Sequence, residues 1–392
     1  MSLSNITLSA AVRQNLLSLQ GTADLLATTQ GRLATGKKVN SALDNPTNFF
    51  TAAGLDSRAS DISNLLDSIG NGVQVLQAAN TGITSLSKLV DTAKSIANQV
   101  LQQPSGYSAK STVSSSVLAG TAANLVDGTN IKVGDTLAFA ASVVPGLPAV
   151  TVTFTATETL DQLNTALAAG NLTASLDSAN HLVVTTINDN ASSKIGAVTF
   201  TGGGGTPATF GASGSVPTPD PVSQAARSGL VTQYNQIITQ ITTTAQDASF
   251  NGINLLNGDS LKLVFDETGK STSTITGVTF GPAGLGLKSL TAGTDFLDNA
   301  TTNSVLTSLN TASVTLRSQA SAFGANLSIV QIRQDFNKNL INVLQTGSSA
   351  LTLADSNEEA ANSQALSTRQ SIATSALSLA NQAQQSVLQL LR

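Results

Sequence analysis

The sequence contains no cysteine and no tryptophan, and its only histidine is His181. Without cysteine there is no disulfide framework, and a chain that crosses between redox compartments cannot be trapped by oxidation. Nucleophilic triads, proton relays and most zinc sites draw on His or Cys, so one histidine leaves almost no room for them. An H-E-x-x-H metalloprotease helix needs two histidines and is excluded. Charge is scarce too. Of 392 residues 11% are charged, and 19 Lys plus Arg against 23 Asp plus Glu give a net charge of -4. Such a chain has no basic field for nucleic acid or an anionic membrane. Nor does any stretch reach the roughly 18 consecutive apolar residues of a membrane span. The opening "MSLSNITLSAAVRQNLLSLQ" lacks the basic start and apolar block of a cleaved signal, so export without one is expected. No catalytic residue, cofactor or metal site is expected.

What the chain does have is apolar content of 41%, arranged at its two ends with helical spacing. Leu16, Leu19, Ala23, Leu26, Gln30 and Leu33 recur at steps of three and four, on one stripe of a helix. "TGKKVNSALDNP" interrupts, with Gly36 and Pro46 as punctuation. A second run carries Ile69, Val73, Leu76, Ile83, Leu86, Val90 and Val100, with one slip at Ile83, and "QQPSGYS" ends it. Later, Val231, Tyr234, Ile238 and Ile241 mark another helix. Val305, Leu309, Leu316, Phe323, Leu327 and Val330 then open the longest pattern, which Leu340, Leu344 and Leu351 continue. Spanning about 50 residues against a mean helix of about 11 to 12, it needs support along its length. Ile372, Ala376, Leu379, Ala383, Val387 and Leu390 close the chain on a matching stripe. Two ends with matching seams are expected to pair as a coiled coil. Neither seam is rich enough in large side chains to offset the entropy of ordering it alone, so the ends are expected to stay disordered in the monomer and to fold only when many copies pack together.

The middle, about 107–221, changes character. "NIKVGDTLAFA", "AVTVTFTATETL", "HLVVTTIND" and "KIGAVTF" alternate or cluster β-formers between turn residues, with one short helix near "LDQLNTALAAG". "TGGGGTPATFGASGSVPTPDP", about 201–221, reads as a flexible linker, since no Gly-Lys-Ser follows its glycines to make a phosphate loop. "FNGINLLNGDSLKLVFDETG" carries hairpin signals over about 251–287, and "FDETGKS" lacks the spacing of a calcium loop. His181 reads as structural, opening a strand beside a turn. For "NSALDNP" two readings stand open. Asp44 and Asn45 before Pro46 are a helix start alone, or Arg32, Lys37, Asp44 and Asn45 form a spoke that contacts neighbouring subunits.

Several blocks in order carry a resemblance. "RLATGKKVNSALDNP", "SIGNGVQVLQAANTGI", "FNGINLLNG", "FGANLSIVQIRQDF", "ADSNEEAANSQALSTRQ" and "ALSLANQAQQSVLQLLR" resemble segments of bacterial flagellin, the subunit of the flagellar filament. The resemblance covers roughly 1–103 and 222–392. It implies a mainly α fold with an inserted β-rich domain: long antiparallel helices and a terminal coiled coil forming inner and tube domains, with an outer α+β insertion. Mapped here, 1–36 and 355–392 are the inner domain, 37–106 and 222–354 the tube domain, and 107–221 the surface-exposed insertion, unusually placed between two tube helices. Leu16, Leu19, Leu26, Leu33, Ile372, Leu379, Val387 and Leu390 are the expected assembly interface. Ile69, Val73, Leu76, Ile83, Val90, Leu316, Phe323 and Leu327 are the expected tube packing. "ETLDQLNTALAAGNLTASLDSANHLVVTT" resembles a small repeat of flagellins and hook proteins, whereas "GITSLSKLVDTAKSIANQVL" lacks the Arg-flanked pattern that innate immune receptors read.

The implied function is structural, without enzymatic activity. Self-assembly into an extracellular filament for motility follows export of the unfolded chain through the flagellar secretion apparatus. Expected partners are further copies, hook-associated and cap proteins, and the export apparatus with its chaperone. A hook-filament junction protein, or a surface adhesin with 107–221 as its binding module, are the alternatives.

Overall fold

A computed structural model of the chain describes residues 10–142, 146–202 and 206–390. Among the described residues six helices longer than one turn and ten strands follow in order. Helix α1 spans Ala10–Thr35 and α2 spans Pro46–Gln102. Strands β1 (Tyr107–Ala109), β2 (Thr112–Val117), β3 (Thr136–Phe139) and β4 (Val150–Thr153) precede α3 (Leu160–Leu167). Then come β5 (Leu172–Leu176), β6 (His181–Thr186), β7 (Val198–Thr201) and β8 (Thr218–Pro219), and α4 (Pro221–Asp247). Strands β9 (Ser260–Val264) and β10 (Thr272–Thr276) pair, and α5 (Asn299–Thr352) and α6 (Ser356–Leu390) complete the chain. The fold is mainly α, with a β-rich segment inserted between α2 and α4.

The helix ends follow from local chemistry. Gly36 takes φ +68° just past α1, a conformation that costs a glycine nothing and stops a helix. Asn45 Oδ1 accepts from the Asn48 N–H at 3.0 Å and Pro46 occupies the first turn, so α2 starts where its free N–H groups are already provided for. Pro104 forbids continuation past Gln102. Asp220 caps α4 through Ser223, Asp298 caps α5 through the Thr301 N–H at 3.0 Å, and Asp355 caps α6 through the Asn357 N–H at 2.9 Å.

Two compact units result, with borders inside α2 and α5. The first takes in the chain up to Gly72, Lys262–Ser273, and the chain from Ile329 on. In it α1 and α6 run antiparallel, which the Lys37↔Leu353 bridge and the bonds from Lys38 N–H to Thr352 O (2.7 Å) and from Ala354 N–H to Gly36 O (3.0 Å) fix in register. Ala59, Ile62 and Leu344 form a small core with Leu55, Leu340 and Ile341. The β9–β10 turn is held by Asn337 Nδ2 donating to Phe265 O at 3.0 Å, by Arg333 over the Phe265 ring at 5.8 Å, and by Arg58 pairing with Glu267.

The second unit comprises Val73–Leu261 and Thr274–Ser328. Its helical part buries Leu76, Ile83 and Val90 from α2, Val231, Tyr234 and Ile241 from α4, and Leu309, Leu316 and Phe323 from α5. Its inserted part has two antiparallel three-stranded sheets, ordered β2-β6-β5 and β4-β3-β7. The core between them includes Leu125, Ile131, Leu137, Leu163, Leu182 and Val184, with α3 against β4 and β5. A capping box, Thr159 with Gln162, starts α3.

The stretch expected as a flexible linker is packed over its described residues. Ala208 is buried in the insert's core and Phe210 lies 5.8 Å from Phe200. Backbone bonds run from Ser116 N–H to Thr209 O, from Val198 N–H to Ala212 O and from Ser215 N–H to Thr112 O. Glycine here serves close approach rather than freedom: a Cβ on Gly214 would sit 2.3 Å from Ser111 Oγ and 2.7 Å from Ile195 Cβ. Residues 203–205 of that stretch lie outside the described residues.

Edge strand β5 is closed by a side chain. Asn164 on α3 accepts from the Ala174 N–H and donates to the Ala174 carbonyl at 3.1 Å, as a neighbouring strand would. Replacing Asn164 with Ala leaves both groups partnerless and is expected to cost about 1–3 kcal/mol. Thermal unfolding of the full chain, with hydrogen exchange at the Ala174 amide, measures it; unchanged protection at Ala174 contradicts the role.

Candidate assembly interface

On α6 the half-buried positions are Ser363, Leu366, Gln370, Ala373, Leu377 and Ala380, stepping by three and four. They form the seam along α1, whose matching positions are Val12, Leu19, Thr22, Leu26 and Thr29. The expected closing stripe therefore needs correction. Ile372 and Leu379 are 63% and 70% exposed and do not meet the opening helix. Both stripes satisfy the same 3-4 spacing, so periodicity alone cannot choose between them. Each stripe carries two large aliphatic residues over this stretch, Leu366 and Leu377 turned inward and Ile372 and Leu379 turned outward, so composition does not choose between them either. With Thr368, Ser371, Ser375 and Ala376, the two exposed residues line an apolar groove of about 510 Å³. The side chains of Val387 and Leu390 lie outside the described residues.

On α1 the expected residues divide in the same way. Leu19 and Leu26 are half-buried at the seam, whereas Leu16 and Leu33 are exposed. Leu17 and Leu25, which the spacing did not select, are more exposed still, at 69% and 58%. Leu43, Phe50, Ile332, Phe336 and Val343 add to the exposed large apolar residues of the first unit. These residues leave apolar surface of the first unit uncovered within the chain.

The residues of the expected spoke find partners within the chain. Arg32 Nη1 lies 3.2 Å from Glu359 Oε1, joining the end of α1 to the first turn of α6, where a carboxylate also suits the helix dipole. Lys37 bridges to Leu353 through its backbone. Asp44 Oδ2 accepts from the N–H groups of Asn40 and Ser41, each at 2.9 Å, and from Ser41 Oγ at 3.2 Å. The Ser41 and then the Asn40 N–H hold its carboxyl below the ordinary value of 3.8, and Arg32 adds a smaller attraction. Asn45 caps α2. Of the packing residues, Ile69, Val73, Leu76, Ile83, Val90, Leu316 and Phe323 are buried and Leu327 is half-buried.

Arg227 and Asp298, the two least exposed of the buried charged residues described, escaped the reading of the sequence. Arg227 is 1% and Asp298 0% exposed, both in the second unit. Arg227 lies at heptad-like spacing with Val231, Tyr234 and Ile238, and a charge on an apolar stripe was the available signal. Burial lowers its pKa, and attraction to Asp298 opposes the shift. Burial likewise pushes the neighbouring Tyr234 phenol up to about 12, with Asp295 contributing. Among the described residues no group of three or more His, Cys, Asp or Glu could hold a metal ion, and no helix is long and apolar enough to cross a membrane.

Comparison with known proteins places these surfaces in context. Residues 5–127 match the bacterial flagellin N-terminal helical region, and residues 306–391 match the bacterial flagellin C-terminal helical region. Flagellin FljM of Caulobacter vibrioides is 31% identical over 172 residues. Flagellins FljO and FljK of the same organism are each 29% identical over 172 residues. In each case the match covers 44% of this chain and 62% of the relative's length.

The turn at Asn40–Asp44 gives a pH dependence with a definite sign. Because the folded carboxyl titrates below 3.8, the turn gains stability from it above that value and loses it as pH falls through the lower folded value. Amide chemical shifts of Asn40 and Ser41, followed on acidification, are expected to titrate with a midpoint below 3.8. A midpoint at or above that value contradicts the bonding described.

Proposed function

Because the chain belongs to the bacterial flagellin family, we propose that it is a structural subunit that self-assembles into an extracellular flagellar filament serving motility. The observation that carries the reading is the arrangement on α6: the stripe with Leu366 and Leu377 closes the helix pair within the chain, and Ile372 and Leu379 on another stripe are left in the open. An apolar stripe on a long helix is stable in water only when covered, and further copies of the same chain supply that cover. Copies that meet through different faces and do not close into a ring grow as an open helix, the geometry a filament needs. Leu17, Leu25 and the second half of α5 supply further apolar surface on the same unit.

In this reading the α1–α6 pair belongs to the inner part of the filament, the helices α2, α4 and α5 to the surrounding tube, and the β-rich insert to its outer face. Hook-associated and cap proteins bound the polymer at its ends. The chain reaches the growing tip unfolded, through the flagellar export apparatus and with a chaperone. The absence of cysteine suits that passage, since no disulfide can form on the way.

Replacing Ile372 and Leu379 together with Asp tests the proposal. Assembly on short filament seeds, read by electron microscopy and pelleting, is expected to fall below detection, while the buried core of the insert keeps its thermal transition. Removing residues 379–392 is expected to do the same. Micrometre-long filaments from either variant would overturn the assignment of this face.

A further inference from the structure

The insert leaves the helices after Pro104 and returns before Pro221, through a neck made of β1 and β8. That neck is short: its register pairs Tyr107 with Pro219 and Ala109 with Thr218, with an irregularity between them. A two-stranded ribbon of this length is marginally stable by itself and makes a poor rigid joint. A second set of ties stands beside it, all within the second unit.

Asp298 uses one carboxylate oxygen to cap α5, accepting from the Thr301 N–H at 3.0 Å and Thr301 Oγ1 at 3.1 Å. Its other oxygen accepts from the Ser192 N–H at 3.2 Å and from the Ser192 hydroxyl, which belong to the insert. The next residue repeats the pattern: Asn299 Nδ2 donates to Asp189 Oδ1 of the insert at 2.9 Å. Asn299 Oδ1 in turn accepts from Arg227 Nη2 at 3.3 Å. Arg227 spends its remaining donors on the neck and on the approach to α5. Nε donates to Pro104 O at 3.0 Å, Nη2 to Gln103 O at 3.4 Å and Nη1 to Phe296 O at 3.1 Å. Gln224 Nε2 adds a bond to Gly106 O at 2.8 Å.

We propose that Asp298 and Asn299 form a latch, seated by Arg227, that fixes the insert in one orientation against α2, α4 and α5 of its own unit. The insert is then a rigid arm, not a bead on a two-strand tether. The bonds that the latch makes to the insert end on Asp189 and Ser192, remote in sequence from the neck, so neck and latch together restrain rotation that either one alone would allow. The planar guanidinium suits the seat, because it can serve several carbonyls in fixed directions at once. A buried carboxylate with both oxygens engaged holds its geometry because any loosening leaves it without a partner.

Spin labels test this directly, since a chain without cysteine accepts a labelling pair with no background. Val133 in the insert and Val314 on α5 are both exposed and take the pair as Val133→Cys and Val314→Cys. Pulsed dipolar spectroscopy on the full-length monomer is expected to give one narrow distance distribution. Combining these with Asp189→Ala and Ser192→Ala, which leaves the α5 cap and Arg227 intact, is expected to broaden it by about twofold or more. Circular dichroism should stay unchanged. Should that variant lose strand signal, Asn299→Ala, which alters no residue of the insert, carries the comparison. A broad distribution in the parent, or one equally narrow in the latch variants, overturns the proposal.

Discussion

The antiparallel pairing of α1 with α6 decides what the rest of the first unit presents. The pair closes through Leu19 and Leu26 of α1 and Leu366 and Leu377 of α6, with Thr29, Ser363, Ala373 and Ala380 between them, and none of those four leucines is fully buried. Leu17, Ile372 and Leu379 stand exposed at 69%, 63% and 70%, and Leu25 stays 58% exposed beside Leu366. One helix pair covers one stripe on each partner, so apolar positions elsewhere on either helix are left facing solvent.

The insert shows the usual ordering. Its two three-stranded sheets and α3 enclose a continuous core from Val113 to Ala208, and Asn164 closes an edge that would otherwise be open to another strand. Its entry and exit lie side by side at Tyr107 and Pro219, which is what allows a block of this size to be spliced between α2 and α4 without separating them. The family match to the N-terminal helical region runs to residue 127, past the neck, while the helical match resumes only at 306. Self-sufficiency of this block and incompleteness of the helix pair are complementary.

Much of this was legible in the sequence because it depends on local chemistry. Gly36, Asn45, Pro46 and Pro104 place the ends of α1 and α2, and "TLAF", "VTVT" and "HLVVTT" form β3, β4 and β6. The start of α2 was harder to see. Its stripe runs back from Ile69 through Leu66, Ile62, Ala59, Leu55 and Ala52, but alanines and intervening Asp and Ser weaken the apolar contrast. The packed stretch after Thr206 was hidden for the opposite reason, because glycine and proline signal freedom when their neighbours are unknown. Which α6 stripe meets α1 could not be read at all, since the two stripes share the same period and carry equal numbers of large aliphatic residues from Ser363 to Ala380. Arg227 and Asp298 depend on segments far apart in the chain, and no local pattern announces such a meeting.

The hydroxyl-rich composition has its own role in the exposed groove. Thr368 Oγ1 donates to Gln364 O at 2.9 Å, Ser371 Oγ to Ser367 O at 3.1 Å and Ser375 Oγ to Ser371 O at 2.9 Å. Each hydroxyl on the wall is thus bonded to the backbone one turn earlier on its own helix. A partner that covers the groove need not supply those donors with acceptors, so the groove behaves as apolar although half its lining is Ser or Thr. Long charged side chains there would have to be paired or left solvated, and either demand would hold the partner away. Self-satisfied hydroxyls keep the helix soluble before association and add almost no desolvation cost during it. Scarcity of charge and abundance of Ser and Thr are one solution to one requirement that the proposed assembly sets, a helix that is stable in water and can then be covered.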